Sequence, residues 1–518
     1  MPRLNRTVIS FALLTFIVFF AQISHAAIND EGAARLKTIF TDMIQQQKSA
    51  AALSDKSKLV FDGDITVEQA DTYYAVTLPQ IKIQYPESGD TLELGIISIN
   101  ATPHAGDAQW KMTMAMPTPI IMFDKDRNHI VRVNIGKQQA TGIWDESLNN
   151  FSKLDAVYGD LSIESSDPGF TLKIPEIEAR YDLEKDDKNF WSGPTYMIAK
   201  NVELDIPDDE SSFKVEELKM RVDLDQYNPA VLDNYQTELQ ALTSKEGGMN
   251  AQDSAKLGSM LLDLILKSGN GFKSEYSVSG LKASFLNPKD KTPGTFDLAK
   301  AYFGFDLEGF LSKDASMNAR LGYGGLNMQP AHDEYGELFP TNSNIDIKIA
   351  SLPIKDISEL VQNTMQGAVT NPEMMSMAGI SLMFKVPLML SQSGTTIEIN
   401  DNFISNDEYK FSINGAAKAD MNAVNSATAK AQARFLGLDK VLAKAQVLGA
   451  NPNTKNADAF RAISANLELL KKIAIVESGA PGPYGTFAHI FNLLMDPQGK
   501  ITINGKTLQE AMQGEPAQ

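Results

Sequence analysis

The sequence predicts a β-dominated α+β fold with long antiparallel sheets and helices packed on one side. Three observations predict it: apolar residues alternate with polar residues in many segments, glycine and proline separate these segments, and a few longer segments have helical periodicity. Alternation indicates strands with one buried face and one wet face, which is typical of antiparallel sheets. Because large twisted sheets tend to curl or split, a trough-like curvature is a further hypothesis.

The first segment with helical periodicity follows Asn29 and Asp30, either of which can cap a helix. Its apolar residues fall on one face at helical spacing: Leu36, Ile39, Phe40, Met43 and Ile44. A single apolar face of this kind is normally covered by another element. We therefore expect an N-terminal helix that packs against a sheet.

The period changes to two from Lys58 onward, and this alternation predicts strands. Proline interrupts the first runs at Pro79 and Pro86. Two stretches, Thr77–Tyr85 and Lys173–Tyr181, share a strand, a proline, a second strand and a tyrosine in the same order. A weak internal duplication is one interpretation of this similarity, and an easily repeated strand pattern is the other.

Helical periodicity returns between residues 228 and 270 and predicts a hairpin of two helices. The first helix begins at Asn228, and the second begins near Asn250 and is apolar on nearly all sides. The second helix includes Met260, Leu261 and Ile265. Such a helix is either buried in a core or covers an apolar ligand, and both interpretations stay open.

Strands resume at Tyr276 and recur up to residues 345–349. A helix is expected after Pro353, and a methionine-rich stretch follows it. The remaining segments predict strands around 397–399 and 409–413, helices around 438–448 and 460–475, and a closing hairpin of residues 487–495 and 501–503.

The N-terminus has the features of a cleavable signal peptide. Arg3 and Arg6 precede the apolar run Val8–Phe20, and Ser24 and Ala26 are small residues at the positions that a signal peptidase reads. The run is shorter than the roughly 20 apolar residues that span a bilayer. We expect export to the periplasm of a Gram-negative bacterium, with an uncleaved N-terminal anchor as the alternative.

These elements divide the chain into four segments. They are a signal peptide (1–26), an N-terminal helix with a β-rich region (27–227), a helical hairpin insertion (228–270) and a C-terminal β-rich region with helices (271–518). No transmembrane segment is expected after signal removal.

Composition excludes several classes of function. The chain has no cysteine, which excludes disulfides, thiolate metal sites and a cysteine nucleophile. Its formal net charge is −18 at pH 7, and such a surface repels phosphate backbones. We therefore expect no nucleic-acid partner.

No catalytic or metal-binding motif is recognisable. The histidines lack zinc-site spacing, and Asp124–Asn128 starts like a calcium loop but has His129 where the loop glycine belongs. The carboxylates between Asp205 and Glu217 are better explained as a surface turn than as a cation site. We expect no catalytic residue, no metal and no cofactor.

Methionine is the most unusual feature of the composition. Met112, Met114 and Met116 alternate along one strand and therefore share a face. Three interpretations stay open: core packing, an apolar ligand groove, and a Cu(I) site with thioether ligands. With Met260, Leu261 and Ile265, these three methionines are the candidate ligand-binding residues.

The segments Phe339–Thr341, Ile345–Pro353, Gly437–Asp439 and Asp496–Gly505 resemble uncharacterised proteobacterial envelope proteins with signal peptides. These are the YdgA-like group and its alphaproteobacterial counterparts, and the resemblance covers about half of the chain. It implies an envelope protein with long sheets, loosely similar to bacterial lipid-handling proteins with a β-groove. It implies no catalytic residue.

The expected function is that of an exported, non-enzymatic periplasmic protein that binds or carries a lipid or another apolar ligand. The Met112–Met116 strand and the apolar helix around Met260 motivate this expectation. One alternative is a structural or protein-interaction factor of the envelope. An enzyme that acts on envelope polymers is a further alternative.

Overall fold

The fold was analysed in a computed structural model of the chain. The structure describes residues 28–51, 57–104, 108–166, 169–231, 235, 242, 251–287, 291–329, 338–370, 375–452, 454, 456–507 and 509–510. The signal segment 1–26 and nearly all of the first predicted hairpin helix lie outside these residues. The chain divides into two compact units: unit 1 is Met1–Met249 with Ala283–Lys291, and unit 2 is Asn250–Lys282 with Thr292–Gln518.

Unit 1 contains one long described helix and many strands. Helix α1 is Asp30–Ala51. Its strands are β1 (Lys58–Asp62), β2 (Thr66–Gln69), β3 (Tyr74–Thr77), β4 (Gln80–Tyr85), β5 (Asp90–Gly95), β6 (Ser98–Pro103), β7 (Gln109–Ala115), β8 (Ile120–Phe123), β9 (His129–Asp145), β10 (Asn150–Ser166), β11 (Gly169–Asp182), β12 (Glu184–Lys185), β13 (Trp191–Ile206) and β14 (Ser211–Tyr227). A 3₁₀ turn, Pro207–Asp209, joins the last two.

The strands of unit 1 pair antiparallel, and β9 is the point where the sheet forks. One edge of β9 pairs with β7 near Trp144 and with β8 near Val133, while the other edge pairs with β10. The β7 branch continues through β6 and β3 to β2, and the β8 branch continues through β5 and β4 to β1. Beyond β10 the order is β11, β13 and β14.

Helix α1 lies on this sheet, as its periodicity predicts. Asn29 caps the helix, because its Oδ1 accepts a hydrogen bond of 2.9 Å from the backbone N–H of Gly32. All five predicted apolar residues are buried, and they pack in one core with Tyr74, Trp110, Trp144 and Phe151. The predicted helix and its packing are confirmed.

Unit 2 alternates strands with helices. Residues 271–282 of β15 (Gly271–Leu286) belong to it, and the last residues of that strand belong to unit 1. Its other elements are α2 (Ala251–Lys267), β16 (Pro293–Glu308), β17 (Ala315–Gly324), β18 (Asn327–Gln329), β19 (Asn342–Leu352), α3 (Ile354–Thr370), α4 (Met375–Ser393), β20 (Thr396–Ser405), β21 (Lys410–Ala419), β22 (Ala427–Leu436), α5 (Leu438–Ala450), α6 (Ala457–Ile473), β23 (Ile475–Gly482), β24 (Gly485–Met495), β25 (Ile501–Ile503) and β26 (Lys506–Thr507).

The strands of unit 2 also pair antiparallel. Their order is β16, β17, β19, β20, β21, β22 and β24, with β23 and β25 on the far side of β24. Helices α5 and α6 pack on the β21–β24 end through a core that includes Leu438, Phe435 and Phe491. The expected β-dominated α+β fold with long antiparallel strands is confirmed, and the trough-like curvature stays a prediction.

Local differences from the sequence prediction have physical reasons. Residue Ile475, expected at the end of a helix, begins strand β23, because Ala474 is already extended and ends α6. The similar stretches Thr77–Tyr85 and Lys173–Tyr181 also differ in structure. The first is split by Pro79 into β3 and β4, whereas the second is one continuous part of β11.

Candidate functional site

The methionine strand faces the interior of unit 1. Met112 is 1% exposed and lies in the core beneath α1. Met114 is half-buried against the same core, and Met116 is half-buried against two neighbouring apolar clusters. Met112 and Met114 therefore share a face, as alternation predicts, and Met112 is fully buried there. Met116 follows the end of β7 at Ala115 and packs against other clusters.

The second candidate set lies on α2, in unit 2. Met260 is buried, whereas Leu261 is 44% exposed. The side chain of Ile265 lies outside the described residues. Helix α2 contacts α3, and Gln362 of α3 donates a hydrogen bond of 2.8 Å to Asp263 of α2. The methionine strand and α2 thus belong to different units.

Residues suited to metal binding are not grouped in the part of the chain that the structure describes, where no three His, Asp or Glu side chains come together. The stretch Asp124–Asn128 forms a polar turn. The Asp124 carboxylate accepts hydrogen bonds from the backbone N–H groups of Asp126 and Asn128, each of 2.8 Å. The hydrogen bond from the Asn128 side chain lowers the pKa of Asp124 most, and the two backbone hydrogen bonds lower it further.

Unit 2 presents an apolar surface that the sequence analysis did not single out. Residues on five strands, β15, β16, β17, β19 and β20, place apolar side chains on one face of the sheet. We name this surface the apolar sheet face, and its most exposed members are Tyr276, Phe303, Leu321, Ile345, Ile347 and Ile397. It differs from the core of unit 1 because these side chains remain in contact with solvent.

Strand register aligns the apolar sheet face in rows. Phe303 on β16 lies opposite Leu321 on β17, and Leu321 lies opposite Ile345 on β19. A second row runs from Phe305 through Ala319 and Ile347 to Ile399 on β20. Tyr276 of β15 lies beside the first row, with its ring centroid 6.3 Å from that of Phe303.

The opposite face of the same strands is polar and more sheltered. Arg320 donates two hydrogen bonds to the Asp306 carboxylate, of 3.0 and 3.1 Å, and the Asp306 side chain is only 15% exposed. Leu321, by contrast, is 52% exposed. Gly304 and Gly322 explain why this polar face is less exposed to solvent. Because they have no side chains, Arg320 and Tyr302 have room to lie across the strands.

The apolar sheet face is closed at both ends and open in its middle. At one end, Leu307, Phe310 and Ala315 form a small core with the start of α3. At the other end, the α5–α6 core covers β21, β22 and β24. The second row crosses three strand spacings of about 4.8 Å, so it is about 14 Å long. This is close to the length of an acyl chain, which fills roughly half of a 30 Å bilayer core.

Helix α4 adds exposed apolar residues within the same unit. It contacts strands β19 and β21, and it also contacts α3. Lys385 is its only charged residue. Its exposed apolar side chains are Ile380, Met383, Phe384 and Leu388. None of the helices in the described ranges has both the length and the apolar character needed to cross a membrane.

A tyrosine on β17 borders the open part, and another lies within the α5–α6 core. The hydroxyl of Tyr323 donates a hydrogen bond of 3.1 Å to the carbonyl of Pro340, and that of Tyr409 donates one of 3.0 Å to the carbonyl of Leu338. Burial raises the pKa of Tyr409 to about 12 and also raises that of Tyr323. Both phenols are therefore neutral donors that hold the 338–341 segment beside the sheet.

No family model matches the chain, and no curated protein matches it significantly.

Proposed function

We propose that the protein is an exported, non-enzymatic periplasmic protein that binds the acyl chain of a lipid, or another extended apolar ligand, on the apolar sheet face of unit 2. The observation that carries the proposal is the run of exposed apolar side chains on β16, β17, β19 and β20. Soluble monomers rarely leave a contiguous apolar surface of this kind open unless it binds something.

The energetics favour a long chain over a small apolar molecule. Each methylene group removed from water contributes about 0.8 kcal/mol, so ten of them contribute roughly 8 kcal/mol. Association costs about 4–15 kcal/mol in lost freedom of motion. A chain long enough to follow a whole row therefore gains enough to offset an association cost in the lower half of that range, whereas a short chain gains less. The aliphatic and aromatic side chains of the site supply no acid, base or nucleophile, so we assign it no reaction.

Export rests on the N-terminal sequence. The basic residues Arg3 and Arg6, the apolar run Val8–Phe20 and the small residues at positions 24 and 26 support secretion across the inner membrane. A periplasmic location would place the protein between two lipid bilayers, and the lipids of these membranes would be available as ligands for the apolar sheet face.

Native mass spectrometry tests the proposal. The protein is secreted into the periplasm of a Gram-negative host and purified without detergent. We expect a mass excess that extracts into organic solvent, and we expect the double substitution Phe303→Gln and Leu321→Gln to reduce it strongly. Ile96→Gln is the matched control, since Ile96 is 53% exposed but lies in unit 1. A wild-type protein of apoprotein mass, or equal loss of ligand in the control, would contradict the proposal.

A second candidate function, a protein-interaction factor of the envelope, is favoured by strand β23. Among the described pairings β23 pairs with β24 alone, so its other side is open for the addition of a strand. Ile475 and Val476 at its start are exposed. Crosslinking in the periplasm tests this candidate: Val476→Lys should abolish capture of a partner, and capture that is unaffected by Val476→Lys would count against it.

A further inference from the structure

Helix α4 carries an exposed apolar surface that the proposed function does not use. Four of its exposed side chains lie on one face at helical spacing, and we name them the α4 stripe: Ile380, Met383, Phe384 and Leu388. Met383 and Phe384 are the most exposed, at 75% and 71%. Helices that are apolar on nearly all sides are normally buried. Here none of the described α4 side chains, residues 380–393, is buried.

The C-terminal end of α4 is attached to the sheet of unit 2. The hydroxyl oxygen of Ser391 accepts a hydrogen bond of 3.0 Å from the backbone N–H of Met421. Thr395, just after the helix, donates a hydrogen bond of 2.8 Å from its hydroxyl to the carbonyl of Ser351 on β19. The helix also contacts α3. These contacts hold α4 in place and leave the α4 stripe in contact with solvent.

A second exposed apolar element lies beside the end of α4. It is the turn of residues 420–426 between β21 and β22, which the hydrogen bond from Met421 joins to the helix. Val424 in this turn is 75% exposed, and Met421 is exposed as well. Asp420 is half-buried, and its carboxylate accepts a hydrogen bond from the backbone N–H of Asn422. Exposed apolar side chains on two adjacent elements are typical of a surface that meets a partner or a membrane.

The charges carried by α4 and by the residues next to its end are positive. Helix α4 has no acidic residue, although the chain has a formal net charge of −18. Lys385 is exposed beside the α4 stripe. Lys418 is also exposed, and a Cβ atom at Gly394, the residue after α4, would lie 3.9 Å from its Cε. Lysine side chains can follow an apolar surface with their methylene groups and keep the ammonium group in a polar layer.

This composition fits a lipid bilayer better than a protein partner. Protein interfaces contain about one hydrogen bond per 100–200 Å² of buried area. Among the side chains of residues 382–390, Lys385 alone can form a hydrogen bond. The acyl region of a bilayer has no donors or acceptors, so a surface that inserts there needs no hydrogen-bonding side chains.

We infer that the α4 stripe inserts into the surface of a lipid bilayer. Met383 and Phe384 lie among the upper parts of the acyl chains, and Lys385 lies at the level of the phosphate groups. Helices in this position bury their apolar face about 5–10 Å into the boundary between headgroups and acyl chains. Burial of apolar side chains drives the insertion, so a zwitterionic lipid suffices even for this acidic chain. The inference goes beyond acyl-chain binding on the apolar sheet face and does not depend on it.

Tryptophan fluorescence with brominated lipids tests the inference. The three natural tryptophans are buried in unit 1, so Phe384→Trp introduces the only exposed one. Vesicles of phosphatidylcholine with brominated acyl chains are compared with vesicles of the same lipid without bromine. We expect the brominated vesicles to quench Phe384→Trp. Bromine near the headgroup should quench more strongly than bromine near the end of the chain, because the insertion is shallow.

Val447→Trp is the matched control, since Val447 is 70% exposed on α5 of the same unit. Vesicle flotation gives a second measurement. Phe384→Gln should weaken partitioning into vesicles about tenfold, because one buried aromatic side chain is lost. Val447→Gln should leave partitioning unchanged, and circular dichroism confirms that the variants fold.

Three results would overturn the inference: no quenching of Phe384→Trp, equal quenching of Val447→Trp, or unchanged flotation of Phe384→Gln. If a second copy of the chain or another protein covers the α4 stripe, the first of these results is expected. The double substitution Phe303→Gln and Leu321→Gln should leave the quenching of Phe384→Trp unchanged. Loss of quenching there would show that the tryptophan senses a lipid on the apolar sheet face instead. An apoprotein mass in native mass spectrometry would contradict the proposed lipid site and leave bilayer insertion standing.

Discussion

Phe303 and Leu321 lie directly opposite each other on antiparallel strands β16 and β17, and both side chains remain about half exposed, at 45% and 52%. Apolar cross-strand pairs normally stabilise a sheet by excluding water from each other. Here the pair is left open, while Arg320 and Asp306 on the opposite face are joined by two hydrogen bonds. The unusual exposure is therefore a property of the surface and not of one loose side chain.

Replacing Leu321 should affect dye binding much more than stability. Leu321→Thr keeps a residue that is favourable in a strand, and the side chain is already half in water, so we expect the free energy of unfolding to change by about 1 kcal/mol or less. Binding of the apolar dye ANS should fall clearly. Fluorescence titration and urea unfolding measure the two quantities. Ile96→Thr serves as the control, and an equal fall in ANS binding there would show that the apolar sheet face is not the dye site.

Replacing Met112 should affect stability strongly. Met112 is fully buried beside α1, so Met112→Ala leaves a cavity and is expected to cost about 2–5 kcal/mol. Met114→Ala, at a half-buried position on the same strand, should cost less. Thermal and urea unfolding of both variants check the order. A negligible cost at Met112 would mean that its surroundings are less tightly packed than the structure indicates.

Gly142 is constrained by the aromatic core of unit 1. A Cβ atom at this position would lie 2.4 Å from Cδ1 of Phe151 and 2.8 Å from the carbonyl oxygen of Lys153. We expect Gly142→Ala to destabilise the protein by about 1–3 kcal/mol through overpacking. Gly169→Ala is the control, since its nearest contact would be 3.5 Å. Urea unfolding should separate the two variants, and equal midpoints would argue against the overpacking.

Short-range signals predicted much of the fold. The cap at Asn29 and the buried face of α1 were readable because helix periodicity and capping depend on neighbouring residues. The closing hairpin was readable for the same reason, since Asp496 and Lys500 close its turn through a backbone hydrogen bond and a side-chain hydrogen bond. The start of strand β23 was missed because the apolar residue Ile475 continues the helical pattern of α6.

The candidate sites depend on contacts that sequence periodicity does not contain. Alternation placed Ile345 and Ile347 on a strand with one buried face. Whether that face is covered depends on where the helices pack. The start of α3 and the α5–α6 pair cover the two ends of the sheet, whereas Leu321 and Ile397 stay exposed. In the sequence, Phe303, Leu321 and Ile397 are apolar residues within predicted strands. If the strand order had been known, these residues could have identified the apolar sheet face.

His489 should make stability depend on pH below neutrality. The side chain is buried on β24, and this burial is the main cause of its lowered pKa, which the neighbouring Lys471 lowers further and Asp439 partly offsets. In the unfolded chain the pKa returns to about 6.5. The unfolded state therefore binds the proton more readily than the folded state, so stability is full above about pH 6.5 and falls as the pH drops toward the lower folded pKa.

Urea unfolding midpoints should decrease between pH 8 and pH 5, and the substitution His489→Gln should make that decrease smaller. His129→Gln, at an exposed position on β9, is the control. If His129→Gln flattened the pH dependence as much as His489→Gln, or if His489→Gln left it unchanged, burial of His489 would not be its cause.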